Sequence, residues 1–268
     1  MKIYAVYRGY YGEDFIGHSI RSVYDYVDKI FLCWTDRALG GASTCDYRGQ
    51  TLAFPDPIDS LVEVARAAAC EKFIPIYDHV ENNENQFTHI VNDLILPFYE
   101  RPDIIMIIEH DHIFRRDQLE GMLSVAGIVP IIGSKQIELW RTPKWRIPER
   151  NRTSTVFYSM NHFEKLPQTA RQAEPVIMWP DIPKADYYVH NFGFCMSEKN
   201  MLWKHLIGLG ISQKIKDSPP NPDWYEKTWL TWDFEKNNKN LEISLGHEHN
   251  ISHAYPYYGR LPEVIEND

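Results

Sequence analysis

The sequence predicts an α/β fold: a doubly wound sheet flanked by helices in a single domain, with an irregular C-terminal region. From Lys2 to Ile113, short β-rich apolar runs alternate with segments whose apolar residues recur at helical spacing. The run Ile104-Ile105-Met106-Ile107-Ile108 is apolar at every position, as a parallel strand covered by helices on both faces must be. With 268 residues, 44% of them apolar and 24% charged, the chain is able to bury one large core undivided.

The elements follow in order. Lys2 to Tyr7 is a first strand, and Gly9 and Gly12 with the tyrosines between them form a loop. Phe15, Ile16, Ile20, Val23 and Val27 line one face of a helix over Glu13 to Tyr26. Asp28 to Trp34 is the second strand, ending at Thr35-Asp36 and a Gly/Ser/Thr-rich loop through Gly49. Pro55 and Pro57 open a helix carrying Leu61, Val62, Val64, Ala65 and Ala68. Phe73 to Tyr77 is a third strand, and Asn85 to Tyr99 a helix stopped by Arg101-Pro102. Asp103 to Ile108 is the fourth strand, and this βαβαβαβ order is the doubly wound one.

Beyond Ile113 the pattern loosens. Gln118 to Val125 reads as a short helix and Ile128 to Ile132 as a strand. Gln136 to Tyr188 is rich in Pro, Arg and Trp and reads as irregular strands and long loops. Tyr187 to Met196 reads as a strand, Glu198 to Leu209 as an amphipathic helix and Trp224 to Lys236 as another.

A formal charge of −9 argues against a protein that grips nucleic acid mainly through phosphates, and leaves room for a local basic groove. The 16 Tyr, 12 Phe and 8 Trp suit stacking on sugars and bases, although core filling uses the same rings. Cys33, Cys45, Cys70 and Cys195 form no C-x-x-C pair, a spacing that fits a reducing compartment better than a disulfide framework. Met1 to Tyr10 contains no apolar signal-peptide core, and no apolar run approaches the ~20 residues of a membrane span. The expected location is the cytoplasm.

The chemistry centres on Glu109-His110-Asp111, directly after the buried fourth strand. Open parallel sheets bind ligands outside the carboxyl ends of their strands, so these side chains belong in the expected crevice. Two carboxylates at i and i+2 on extended backbone share a side and suit one hard divalent cation that keeps positions free for phosphate oxygens. A solvated strand-end turn is the plain alternative. In the tail, His247, His249 and His253 lie close together, and H-x-H on a strand puts two imidazoles on one face, where they suit a divalent metal; separate surface histidines are the other reading. Gly193, between Phe192 and Phe194, fits either close backbone approach by a ligand or relief of crowding in the sheet.

The strand–helix–strand start, the helix with Asn85 and Asn92-Asp93, and the apolar strand ending in acid-x-Asp together resemble the type A (GT-A) glycosyltransferase fold, and more closely its family 2 group. The likeness covers roughly residues 1 to 125, with weaker elements beyond. It implies a GT-A-like mixed sheet: residues 1–125 form a half that binds a nucleotide sugar, and residues 126–268 form an acceptor-side half with a C-terminal metal or lid segment. It implies transfer of a hexosyl or pentosyl group from a nucleotide-diphosphate donor to a hydroxyl of a glycan or small sugar. The cofactor would be Mn²⁺ or Mg²⁺ on the acid-x-acid motif, with Asp111 matching its last Asp and Glu109 departing from the usual first Asp. Arg8 and Tyr10 after the first strand and Asp36 after the second fall where the nucleotide binds, although Asp36 also suits a turn cap. Asn85 contacts the donor or caps its helix. One tail histidine, His249 ahead of His247 and His253, would complete the metal site.

The resemblance also implies a base opening a late helix. Asp223 fits first and Glu226 second, while an N-cap role suits Asp223 equally. Trp224 and Tyr225 suit stacking on an acceptor sugar, whereas Trp229 and Trp232 fit a packing face. A hydroxymethylated base of phage DNA is an alternative acceptor, motivated by the basic stretch Arg141, Lys144, Arg146, Arg150 and Arg152, which as a charge run also suits a solvated loop. A non-catalytic sugar- or nucleotide-binding module is a further alternative. A metal-dependent oxygenase on His79-Val80-Glu81 conflicts with the βα scaffold, and Arg8-Gly9-Tyr10-Tyr11-Gly12 is a poor match to a nucleotidyltransferase loop.

Overall fold

A computed structural model describes residues 1–9, 13–35, 44–53, 58–78, 86–149, 155–167, 184–214, 222–238, 241–242 and 251–266. The N-terminal half alternates as expected: β1 (Ile3–Gly9), α1 (Glu13–Val23), β2 (Lys29–Trp34), a hairpin of β3 (Thr44–Tyr47) and β4 (Gln50–Ala53), then α2 (Ile58–Ala69) and β5 (Phe73–Tyr77). The next helix starts as α3 (Gln86–His89) and widens into a π-helical turn over Ile90–Ile95 before β6 (Ile104–Glu109) and β7 (His112–Ile113).

β1, β2, β5 and β6 run parallel in the spatial order β5-β2-β1-β6. The alternation of side chains along these strands divides the core. Ile3, Ala5, Tyr7, Ile30, Leu32, Ile104, Met106 and Ile108 face α1 and α2. Tyr4, Val6, Phe31, Cys33, Ile105 and Ile107 face the other way, onto Phe87, Ile90, Val91 and Ile95. The run at 104–108 is apolar at every position because each of its faces has a helix layer to cover it. The crossovers through α1 and α2 lie on one face and the one through α3 on the other, so the winding reverses between β1 and β6. In an open α/β sheet, that reversal is where a ligand crevice opens.

The second half is more regular than its sequence suggests. After α4 (Arg116–Ala126), β8 runs from Ile131 to Trp140, followed by β9 (Thr142–Arg146), β10 (Val156–Ser159) and β11 (Lys184–Phe194). The expected strand from Ile128 therefore starts later, and Ile128 itself is exposed. β10 pairs antiparallel with both β6 and β8, and β11 pairs parallel with β8 and antiparallel with β7. No single periodicity marks β8, because both of its faces are buried over Ile131–Ser134 and at Leu139–Trp140 and both are half-buried between. The sheet is thus mixed, four parallel strands extended by antiparallel ones beyond β6, with helices on both faces. This is the GT-A-like arrangement that the acid-x-Asp resemblance implies.

The C-terminal elements are α5 (Glu198–Lys214), a π-helical segment over Trp224–Leu230, α6 (Phe234–Asn237), the short strands β12 (Leu241–Glu242), β13 (Ile251–Ser252) and β14 (Tyr255–Pro256), and α7 (Glu263–Glu266). The single helix expected over 224–236 is broken at 231–233, where Asp233 caps the new start by accepting from the backbone N–H of Glu235 and Lys236. Among the described residues, no helix is long and apolar enough to cross a membrane.

Candidate functional site

Arg8 ends β1 and Glu109 ends β6, and the two are register partners across the winding reversal. The guanidinium donates to both carboxylate oxygens, Nη2 to Oε1 at 2.8 Å and Nε to Oε2 at 3.4 Å, and lies over the Phe87 ring at 4.7 Å. Loss of water pushes the Glu109 carboxyl up, but the Arg8 charge and hydrogen bond more than offset this and hold it below its usual range.

Two residues on, Asp111 is buried. Its segment is pinned to α1 by two inward serine hydroxyls: Ser19 donates to the His112 carbonyl at 2.6 Å, and Ser22 accepts from the Phe114 N–H at 3.2 Å. Burial pushes the Asp111 carboxyl up, yet His110, Lys204 and His112 together outweigh burial and hold it at about 2. The Lys204 ammonium lies 3.6 Å from Oδ2 of Asp111 and donates to the Gly193 carbonyl at 2.8 Å. His112 is buried, with Nδ1 3.2 Å from the Thr155 hydroxyl, and burial lowers its imidazole against the pull of Asp111 and Glu109.

Gly193 is necessary here. A Cβ at this position would stand 2.6 Å from Oδ2 of Asp111 and 2.8 Å from both Oδ1 of Asn191 and Nζ of Lys204. The missing side chain makes room for three polar groups of the protein to converge, so it relieves crowding and keeps the space around Asp111 polar. Lys204, which the sequence does not single out, is brought in by α5. The start of that helix is tied to α1: Asp14 accepts from the Ser197 N–H and the Asn200 side chain, each at 2.8 Å, and Lys199 pairs with Glu13 at 3.1 Å. A lysine in the second turn of a helix carries no signal in sequence, because helix surfaces are full of lysines.

Asp223 and Glu226 form a second acidic pair. Asp223 stands at the N-terminal edge of its helical segment but makes no side-chain cap. It pairs instead with Arg48 at 2.8 Å and with Lys227 at 2.5 Å, and the other arm of the Arg48 fork holds Glu226. Tyr47 donates its hydroxyl to Glu226 at 3.0 Å. Arg48 and Gly49 both have positive φ, 55° and 76°, the pattern of a tight two-residue hairpin turn that aims Arg48 at the acids. The Lys227 hydrogen bond, with further help from the Lys227 and Arg48 charges, holds the Asp223 carboxyl below its usual range against desolvation. Trp224 and Tyr225 are buried against His205 and Trp229, so neither offers a ring to a sugar, in contrast to the stacking expected from sequence. Trp229 and Trp232 pack together with Trp140, as their spacing suggests.

His253 is exposed, with its ring 4.4 Å from that of Tyr255. Tyr10, Asp36, Asn85, His247 and His249 lie outside the described residues. Among the described residues, no group of three or more His, Cys, Asp or Glu able to hold a metal ion comes together. Of the acid-x-acid pair, Glu109 is taken by Arg8. Asp111 fits a hard cation in its carboxylate chemistry, provided that Lys204 gives way.

No protein-family model and no curated protein matches this sequence. Solved structures are similar in fold. One is glucosyl-3-phosphoglycerate synthase from Mycobacterium tuberculosis in complex with Mn²⁺, UDP-glucose and phosphoglyceric acid, with 11% identity over 100% of this chain and 91% of that one and a TM-score of 0.44. S. aureus TarS has 9% identity over 79% of this chain and a TM-score of 0.43. The inositol-1-phosphate CTP transferase from T. maritima has 10% identity over 77% of this chain and 96% of that one, at 0.40. The chain spans 65% of the TarS chain and 41% of a similar mycobacterial protein. At these identities the likeness bears on no activity, and the functional reading rests on the site itself.

Proposed function

We propose that this protein is a glycosyltransferase that moves a sugar from a nucleotide-diphosphate donor to a hydroxyl of a glycan or small sugar. The observation that carries the reading is the charged set Arg8, Glu109, Asp111 and Lys204 at the carboxyl ends of β1 and β6, where the winding of the sheet reverses. A buried carboxylate kept ionised at such a point suits a cation that meets a diphosphate, and Mn²⁺ or Mg²⁺ at Asp111 would supply charge stabilisation of the leaving group. Tyr10, Asp36 and Asn85 belong to the donor side of this reading, and one of His247, His249 and His253 would be a further ligand.

Asp223 is the proposed base, with Glu226 second. In an inverting transfer the acceptor oxygen bonds to the anomeric carbon, the bond from that carbon to the diphosphate breaks, and the acceptor proton passes to the carboxylate. Lys227 and Arg48 keep Asp223 ionised and ready to receive it. The test is nucleotide release from UDP-, GDP-, CDP- and dTDP-sugars with Mn²⁺, with and without EDTA, in the wild type and Asp111→Ala. Release from one donor that EDTA and the substitution both abolish is the expected result. Silence across the panel, with no nucleotide binding by calorimetry, would overturn the reading in favour of a non-catalytic binding module.

A further inference from the structure

Lys204 stands where a donor-site cation has to act. Its ammonium is 3.6 Å from Oδ2 of Asp111 and bonded at 2.8 Å to the Gly193 carbonyl, and with Asp111 and Asn191 it fills the room that the missing Gly193 side chain leaves. The Asp111 side chain is 9% exposed and that of Lys204 is 19%, so water screens the pair poorly. A divalent ion that takes Asp111 while that ammonium remains beside it is repelled, because the two cations share one poorly screened space. An incoming diphosphate changes this balance, since it offers the ammonium a second anion.

We propose that Lys204 is the internal counter-cation of Asp111 and moves to the donor diphosphate on binding, so that metal and nucleotide load the site together and the metal alone binds weakly. This rests on the reading of Asp111 as the donor-site acid given above. Lys204 is then a donor-binding residue and, through Asp111, the residue that makes metal binding depend on the donor. The coupling follows from charge alone: each ligand removes the obstacle to the other, and reciprocity requires that nucleotide affinity rise with metal by the same factor. The anchoring of α5 to Asp14 holds the lysine backbone in place, so that the exchange needs only side-chain motion.

The experiment is Mn²⁺ titration followed by electron paramagnetic resonance, alone and with UDP, GDP, CDP or dTDP, for wild type, Lys204→Met and Lys204→Arg. In the wild type one nucleoside diphosphate should tighten Mn²⁺ binding by about tenfold or more. Lys204→Met should bind Mn²⁺ alone roughly tenfold more tightly than the wild type and lose most of that coupling, while Lys204→Arg should keep it. Wild-type Mn²⁺ affinity in Lys204→Met, with the coupling intact, would overturn the role of Lys204 and leave the transferase reading standing. Absence of Mn²⁺ binding in every combination also overturns it. If calorimetry shows that no nucleotide binds with or without metal, the donor-site reading itself fails.

Discussion

The two acidic pairs of this chain are both gripped by protein cations, and Glu109 and Asp223 are alike at 34% and 27% exposed, yet the ion pairs Asp111–Lys204 and Glu226–Arg48 keep very different amounts of water. Asp111 is 9% exposed against Lys204 at 19%, whereas Arg48 and Glu226 are each 43% exposed. At ~4 Å a pair of unit charges is worth about 1 kcal/mol in water and about 4 kcal/mol at the effective dielectric near a protein surface. The Asp111–Lys204 pair is therefore held until another anion takes the ammonium, since breaking it otherwise strands a charge in a dry place. The Arg48 fork is a surface clamp, and salt or a competing ligand can open it. A donor site that must meet a diphosphate benefits from a cation released only to another anion, while a base that must receive a proton benefits from a partner that salt alone can loosen. The chain uses similar charged groups for both purposes, and burial separates them.

The largest expected effect breaks the buried side of that comparison. Asp111→Asn should lower nucleotide release by about a hundredfold or more, and should destabilise the fold by about 3 kcal/mol because Lys204 keeps its charge without a carboxylate. Denaturant unfolding reads the second effect, and wild-type behaviour in both assays would remove Asp111 from the centre of the site.

Acid should next distinguish the two regions. On β11, beside the Asp111 cluster, His190 is buried with Nε2 2.8 Å from the Tyr257 hydroxyl, and burial pushes its imidazole from 6.5 to about 4. Between those pH values the unfolded chain binds a proton that the folded chain refuses. Stability is whole above pH 6.5 and falls by roughly 3 kcal/mol as the pH drops to 4, with His112 acting in the same direction. Asp111 adds its loss later, as the pH falls through about 2. A melting temperature that stays flat from pH 7 to about pH 4.5 would contradict this.

A smaller effect sharpens the role of shape. Gly193→Ala should cost about 1–2 kcal/mol, since its Cβ would displace the Asp111, Asn191 and Lys204 side chains, while Gly127→Ala, with nothing within 4 Å, should cost nothing measurable by chemical denaturation. The smallest effect belongs to the exposed pair. Arg48→Ala should lower the melting temperature slightly at low salt, and at about 0.5 M NaCl the variant and wild type should converge. If Asp223 is the base, the acid limb of the turnover profile should also move to higher pH in this variant, because one of the charges that depress its carboxyl is gone. A limb that stays in place would point to another group.

The four parallel strands and the acidic end of β6 were legible because their signals are local. Five apolar residues in a row, turn glycines and helical spacing each act within a few residues, and tertiary packing agrees with them. The second half was less legible because both faces of β8 are buried at its ends and half-buried between, so no alternation marks it as a strand. The hairpin of β3 and β4 lies in a stretch that reads as loop, and nothing near Arg48 in the chain announces an acid 179 residues after its neighbour Tyr47. Lys204 and the Arg8–Glu109 pairing were hidden for the same reason.

By itself, then, the sequence determined which segments are strands and helices in the N-terminal half, and that two acids follow the most buried strand. Only the tertiary structure decided which cation each acid meets, that Gly193 makes room for one of those meetings, and that Trp224 and Tyr225 face the core. Periodicity and turn chemistry act over a few residues, whereas charge partnership depends on strand register and helix docking across 101 residues for Arg8 and Glu109, distances over which the order of residues carries no direct trace of contact.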